Sequence, residues 1–433
     1  MRKLSVWLLS IFMMTGNVYS DPEDEPAEET AEEITEETAE ESSEEETYAV
    51  DIHAEYAALL DLDSGTVLFE KNADQEADPA SLTKLMTVYL ASVHLTDSSL
   101  TMSDSAFQSY DHNQGVLWIQ LGETLSVADC EYATMLASAN DTCAMLAEGV
   151  SNNIESFVSK MNSTASELGL EHTRFDNPFG LSSEGNYSSA KDMAELTRRA
   201  MKNETFRTVF GASSYTIRPT NMQGQSRVIA NDCELLRQEA YYNPQTIGGK
   251  IGSTASGYAL SAVVQKGETS LVAVVLEEAT ADDAYRDVEA LMEYGFSMVQ
   301  TVTITPEEIG VTQIEVKDGK KEIAVVEFRA DSAFSVLMPR EMNREDLQAE
   351  VVVTNEDSLD PERISAEVIF TLDGEQIGSS PMDRTILFAP EEESKSRMEQ
   401  IQMVFDDVCL VLLGMMILGP LALKIFRTLQ PPK

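Results

Sequence analysis

Ser81 and Lys84 stand three residues apart in DPASLTKLMTVYLA, residues 78–91. On a helix this spacing stacks a hydroxyl and an amine one turn apart, as a serine nucleophile and a lysine base require. The same residues also fit a plainer role. Asp78 or Ser81 can cap a helix whose first turn accepts Pro79, with Leu85, Val88 and Tyr89 as its apolar stripe. A serine and lysine at this spacing recur in YSSAKDMA, at Ser188 and Lys191, so the pair alone decides nothing. Two further patterns follow in order: SAN (Ser138, Ala139, Asn140) and GGKIGST (Lys250, Ile251, Gly252, Ser253). SNN at 151–153 and KDG at 317–319 have the same forms. Context separates the first set from these decoys: a helix start, a turn between helices, a strand edge.

The elements around the three motifs read consistently. EYAALLDLDSGTVLFEKN gives two strands around the Asp63-Ser64-Gly65 turn. Residues 79 to about 210 are mainly helical, with capping residues and apolar stripes such as SVADCEYATMLASANDTCAMLAEGV. YALSAVVQKGETSLVAVVLEEA gives two apolar strands, and DDAYRDVEALMEYGFSMV a closing helix near residue 300. Strands at both ends of a helical middle predict one sheet built from the two ends of the segment, an α+β domain over 48–300. Residues 301–390 read as short strands and turns, a small all-β domain and a spacer without chemistry of its own.

With its motifs in this order, the chain resembles a low-molecular-weight penicillin-binding protein of the serine-type D-alanyl-D-alanine carboxypeptidase family, marked by Ser-x-x-Lys, Ser-x-Asn and Lys-Thr-Gly. PASLTKLMT, NSTASELGLEHTRFDNPFGLSSEGNYSSAKDMAEL and GGKIG…GYALSAVV extend the likeness over about residues 50–300. The resemblance implies a β-lactamase/transpeptidase-like catalytic domain. Its activity would be removal of the terminal D-alanine from peptidoglycan stem peptides through an acyl-serine, with β-lactams as inhibitors and no metal or organic cofactor. It implies Ser81 as nucleophile and Lys84 as general base, made neutral by burial and by the second cation Lys250. Ser138 would pass the proton to the leaving amine, and Asn140 would orient Lys84 and the substrate amide. Lys250 would also bind the substrate carboxylate, and the N–H groups of Ser81 and Ser253 would hold the oxyanion. Ile251 departs from the pattern, standing where the family has threonine. That leaves two alternatives: a catalytically weak wall-binding or scaffolding homologue, and a β-lactamase. For the latter no glutamate motif between SAN and GGKIG suggests a deacylating base.

The bulk properties bound the rest. The 433 residues carry 30 basic and 75 acidic side chains, a net charge of −45 that excludes a nucleic-acid partner, which needs a basic footprint. Residues 21–47 hold 15 acids and no base, with Glu-Glu pairs every four residues, and read as a disordered, solvated tail. Arg2, Lys3 and the run LSVWLLSIFMM before VYS read as a signal peptide over 1–20, cut near Ser20–Asp21. The uncharged run Val408–Leu423 is ~24 Å long as a helix. Extended into residues 404–427, with Lys424 and Arg427 on the cytoplasmic side, it predicts a single C-terminal membrane span behind a polar stem at 391–403. The catalytic domain is then extracytoplasmic. The four cysteines give no disulfide framework; Cys130 and Cys143 on one continuous helix would lie ~20 Å apart and could not bridge. His53, His94, His112 and His172 show no metal-ligand spacing.

Overall fold

The computed structural model describes residues 50–96, 98–388 and 402. The expected signal peptide, acidic tail and membrane span lie outside these residues, as does the stem apart from Gln402. Among the described residues no helix is long and apolar enough to cross a membrane.

The first strands are β1 (Tyr56–Asp61) and β2 (Val67–Lys71), joined through the expected turn, where Gly65 takes φ +77°. A helical middle follows, containing α1 (Thr83–His94), α2 (Val127–Leu136), α3 (Asn140–Ser151) and α4 (Ala190–Ala200). The chain then returns to the sheet as β3 (Thr246–Thr254), β4 (Gly257–Lys266) and β5 (Thr269–Glu278), and α5 (Ala281–Met298) closes the unit. The sheet is antiparallel in the order β2-β1-β5-β4-β3, with Leu59 opposite Ala273, Ala273 opposite Ala262, and Ala262 opposite Gly249. The chain's two ends therefore share one sheet, and β3 with its Lys250 is an edge strand.

Alternation along the strands divides the core in two. Ala57, Leu59, Leu260, Ala262, Leu271, Ala273 and Val275 face α5. Ala58, Leu60, Val263, Val272, Val274 and Leu276 face the helical middle. Because both faces are covered, β5 reads as an unbroken apolar run rather than an alternating one. Helix α1 runs through the second core with eight of its residues buried, so its first turn is fixed from all sides.

Two readings of local structure need correction. Ser81 does not cap α1: it sits in a single 3-10 turn, Ala80–Leu82, and neither the turn nor the helix has a side-chain cap. Asp78, the other candidate, accepts the Ala80 N–H at 2.9 Å. The second concerns the cysteines: SAN lies in a turn between two helices, as its context indicates, so Cys130 and Cys143 do not share one continuous helix. Ser138 at φ +54° breaks α2 from α3, so the distance reasoned for Cys130 and Cys143 along one helix does not apply. Cys130, Cys143 and Cys233 are nevertheless buried free thiols.

The β domain begins slightly earlier than expected. Val299–Ile304 follows α5 without a linker and pairs with Phe334–Pro339. Six further strands reach Phe388, in two three-stranded sheets, and inward side chains from these sheets and from the first strand pair form two small apolar clusters.

Behind the sheet, Glu278 is 1% exposed and Asp287 is 2% exposed, the latter accepting from Ala54 N–H and His53. Burial first, then the hydrogen bond to Asp287, pushes the Glu278 carboxyl up to about 8. A folded-state value above the unfolded one means the native protein holds a proton that the unfolded chain releases. This group's stabilisation is therefore complete below the ordinary glutamate range and is lost as pH rises towards 8. Glu278→Gln keeps a donor to Asp287 without the titration. Its melting temperature relative to wild type is expected to rise steadily from pH 5 to 8.5; a flat difference would refute the assignment.

Candidate active site

The nucleophile's position is set by backbone that its own residue type does not specify. Ala80 takes φ +48°, an unusual conformation for a residue other than glycine, immediately before Ser81. Asp78 holds it there. Besides the Ala80 N–H, Asp78 accepts from Ser182 Oγ at 2.6 Å and Thr254 Oγ1 at 2.8 Å, and its own N–H donates to Glu277. One carboxylate thus ties the Ser81 turn to the end of β3 and to the 177–185 loop. The sequence offered Asp78 only as a helix cap; its reach to Ser182 and Thr254 has no local signature.

Lys84 lies one turn further on and is 2% exposed. Its Nζ donates to the Phe179 carbonyl and lies 3.4 Å from Ser81 Oγ. Asn177 builds the loop that presents this carbonyl, its Oδ1 accepting the N–H groups of Phe179, Gly180 and Leu181 at 2.8–3.1 Å. The Pro178 carbonyl beside it accepts from Thr87 Oγ1 and the Cys143 thiol. Asn177 and Phe179 were missed. A backbone carbonyl has no sequence signature, but DNPFG is a dense turn signal.

The Lys84 amine is held down to about 8 from an ordinary 10.5. Burial is the largest cause; Cys143 pushes the other way and the Lys250 charge adds to the lowering. Lys250 therefore has the effect expected of it, but a smaller one than desolvation. Lys250 is 1% exposed, its Nζ donates to the Ile251 carbonyl at 3.1 Å, and burial lowers its pKa too.

Ser138 and Asn140 enter from the break between α2 and α3. The Asn140 N–H donates to Gly115 O at 2.5 Å and its Nδ2 to Gln114 O at 3.0 Å. Asn140 is thus anchored to the 111–115 loop, and Phe179, not Asn140, is the anchor of Lys84. The Ser138 hydroxyl and the Asn140 carbonyl oxygen are buried without a protein partner. Both residues line the same cleft, so these two polar atoms are available to a substrate.

Strand β3 closes the far side. A Cβ on Gly252 would stand 2.6 Å from both N and Cβ of Ser81, so only glycine lets this strand approach the nucleophile so closely. Alternation puts Ile251 on the opposite face from Lys250 and Gly252, packed against the α5-side core at the rim of the cleft. The cleft holds about 750 Å³ and is lined by all three motifs, Ser81, Lys84, Ser138, Asn140, Ile251 and Ser253 among them. Lys250 is not among the lining residues. Asp111, Asp232 and Glu234 also face the cleft, so its rim is acidic around two buried amines.

The decoys resolve into structure. The Ser188 hydroxyl hydrogen-bonds with that of Thr173, its neighbour Ser189 caps α4, and Lys191 pairs with Glu70 and Asp74. Asn153 caps a surface helix, and Lys317–Gly319 is a strand end running into a hairpin turn. Among the described residues, no three His, Cys, Asp or Glu side chains converge as metal ligands.

A cleft that joins a serine, a depressed lysine, unpartnered hydroxyl and amide groups and a strand edge can be compared with known proteins as a whole. The D-alanyl-D-alanine carboxypeptidase family matches residues 39–280. Bacillus subtilis DacF, a D-alanyl-D-alanine carboxypeptidase, is 30% identical over 336 residues, spanning 76% of this chain and 84% of its own. Escherichia coli DacC, of the same description, is 31% identical over 352 residues, spanning 78% and 84%. The crystal structure of penicillin binding protein 5 from Haemophilus influenzae is 25% identical, covers 77% of this chain and 97% of its own, and superposes with a TM-score of 0.64. The likeness extends past the catalytic unit into the β domain, and with it the chain takes its place in the D-alanyl-D-alanine carboxypeptidase family of serine hydrolases.

Proposed function

We propose that this protein removes the terminal D-alanine from peptidoglycan stem peptides through an acyl-enzyme on Ser81. The observation that carries this reading is the Lys84 amine: buried, its pKa held down to about 8, and 3.4 Å from the Ser81 hydroxyl. Ser81 Oγ attacks the carbonyl carbon of the penultimate D-alanine as its proton passes to Lys84 Nζ. The N–H groups of Ser81 and Ser253 receive the developing oxyanion. The C–N bond then breaks, the leaving amine takes a proton through Ser138, and water hydrolyses the ester to restore Ser81. Asn140 orients the substrate amide, and Lys250 supplies positive charge behind the site for the terminal carboxylate. β-Lactams acylate Ser81 by the same route.

The setting follows from the ends of the chain. A signal over 1–20 exports the protein, and the span at 404–427 anchors it with the catalytic domain outside the cytoplasm. The β domain then acts as a spacer between cleft and membrane.

Benzylpenicillin mixed with the wild-type protein is expected to leave one penicilloyl adduct by intact mass, on the peptide containing Ser81, and a pentapeptide ending in D-Ala-D-Ala to release D-alanine. An adduct without release supports the second reading, a weak wall-binding homologue, which Ile251 favours. If the missing threonine hydroxyl limits turnover, Ile251→Thr restores a hydrogen bond to a charged group. Acylation is then expected to rise roughly threefold or more, within the 10- to 100-fold ceiling such bonds set. An unchanged rate would mean that another group already fills this role.

A further inference from the structure

Residues 111–120 carry a feature that the cleft does not use. Val116, Leu117 and Ile119 pack into the core, whereas Trp118 between them is 72% exposed. Trp118 also takes φ +59°, a left-handed conformation that strains a residue with a bulky side chain. The strain is imposed from both sides. The Leu117 and Ile119 N–H groups both donate to one oxygen of Asp141, at 2.9 and 3.1 Å, and Asp141 is fully buried. Asp141 follows Asn140, so the second motif and the tryptophan loop share an anchor. A lone exposed apolar side chain is ordinary on a protein surface. One held outward in strained backbone by a buried carboxylate has been positioned.

We propose that Trp118 is a stacking platform for a sugar ring of the glycan strand that bears the stem peptide, a subsite outside the catalytic cleft. The inference rests on the peptidase reading, which places the stem peptide in the cleft. Distance permits it. Gly115 lines the cleft, and three residues reach at most ~11 Å, whereas the four stem residues before the scissile bond span roughly 13 Å extended. Chemistry favours it as well. The apolar face of a pyranose fits an indole plane, and the indole N–H can donate to a ring hydroxyl. An anionic membrane surface is the poorer partner, since the chain carries a net −45 and Asp111 stands in the same loop.

The two tryptophans of the chain are Trp7 and Trp118, so in a Trp7→Phe background the emission reports Trp118 alone. In the Ser81→Ala, Trp7→Phe protein, a disaccharide-pentapeptide or an N-acetylglucosamine tetramer is expected to shift this emission saturably, and the sugar-free pentapeptide to leave it unchanged. In turnover, the ratio of kcat/KM for the sugar-bearing over the sugar-free peptide is expected to fall roughly 3- to 10-fold in Trp118→Ala and to be retained in Trp118→Phe. A merely structural role would alter both substrates alike and leave the ratio unmoved. Silent emission with both sugar probes, or an unchanged ratio, overturns the subsite. If wild type releases D-alanine from neither peptide, the peptidase reading fails, and the emission titration still decides the subsite on its own.

Discussion

Lys84→Met lowers the rate of Ser81 acylation by penicillin by on the order of 10²- to 10⁴-fold, the range spanned by loss of a positioned general base. Methionine keeps the unbranched apolar stem that fills this buried position and removes only the amine. A melting temperature close to wild type then separates lost chemistry from lost fold, although the Phe179 carbonyl forfeits its donor. The wild-type pH profile carries the same argument. A base acts only when unprotonated, and this amine is held near 8, so acylation should climb with pH and level off above about 8. In Lys84→Met the climb should vanish. A residual rate that still rises with the same midpoint would assign the titration to another group.

Gly180→Ala is expected to lower turnover by at least ~10²-fold, because nucleophile displacements of about 1 Å carry penalties of that size. Gly180 takes φ +76°, and a Cβ there would stand 1.9 Å from the Ala80 carbonyl oxygen and 3.1 Å from Ser81 Cα. Neither partner is a side chain that can swing away. The 79–82 turn or the Phe179 loop must move, and each holds one half of the Ser81–Lys84 pair. Turnover and acylation should fall together. Wild-type acylation in a folded Gly180→Ala protein would mean that the two loops are looser than their hydrogen bonds indicate.

The strands, the central helices and the three motifs were legible because each has a local signature. The Asp63-Ser64-Gly65 turn between short apolar segments marks β1 and β2, apolar stripes mark the helices, and residue types at fixed spacing mark Ser81, Lys84, Ser138, Asn140 and Lys250. What escaped is set by the backbone of distant segments. No residue type announces that the Phe179 carbonyl meets Lys84, or that Asp78 reaches Thr254 across the sheet edge. The turn at SAN was legible, but not the left-handed backbone of Ser138, which tertiary packing sustains rather than propensity. The boundary at Val299 was placed late because α5 runs into the next strand with no turn residues between them.

The sheet order has a consequence in time. Strand β1 is made early and its partner β5 late; Leu59 waits for Ala273, more than two hundred residues downstream. Such distant pairing is slow, because the loop must close before any contact rewards it. A chain interrupted before Thr269 has its serine and its lysine but lacks the strand that seats β4 and, through it, β3. It is therefore a peptidase without a cleft. Synthesis from one end holds the nucleophile idle until the last strand of the sheet is in place, so a partly made chain is spared both substrate and antibiotic.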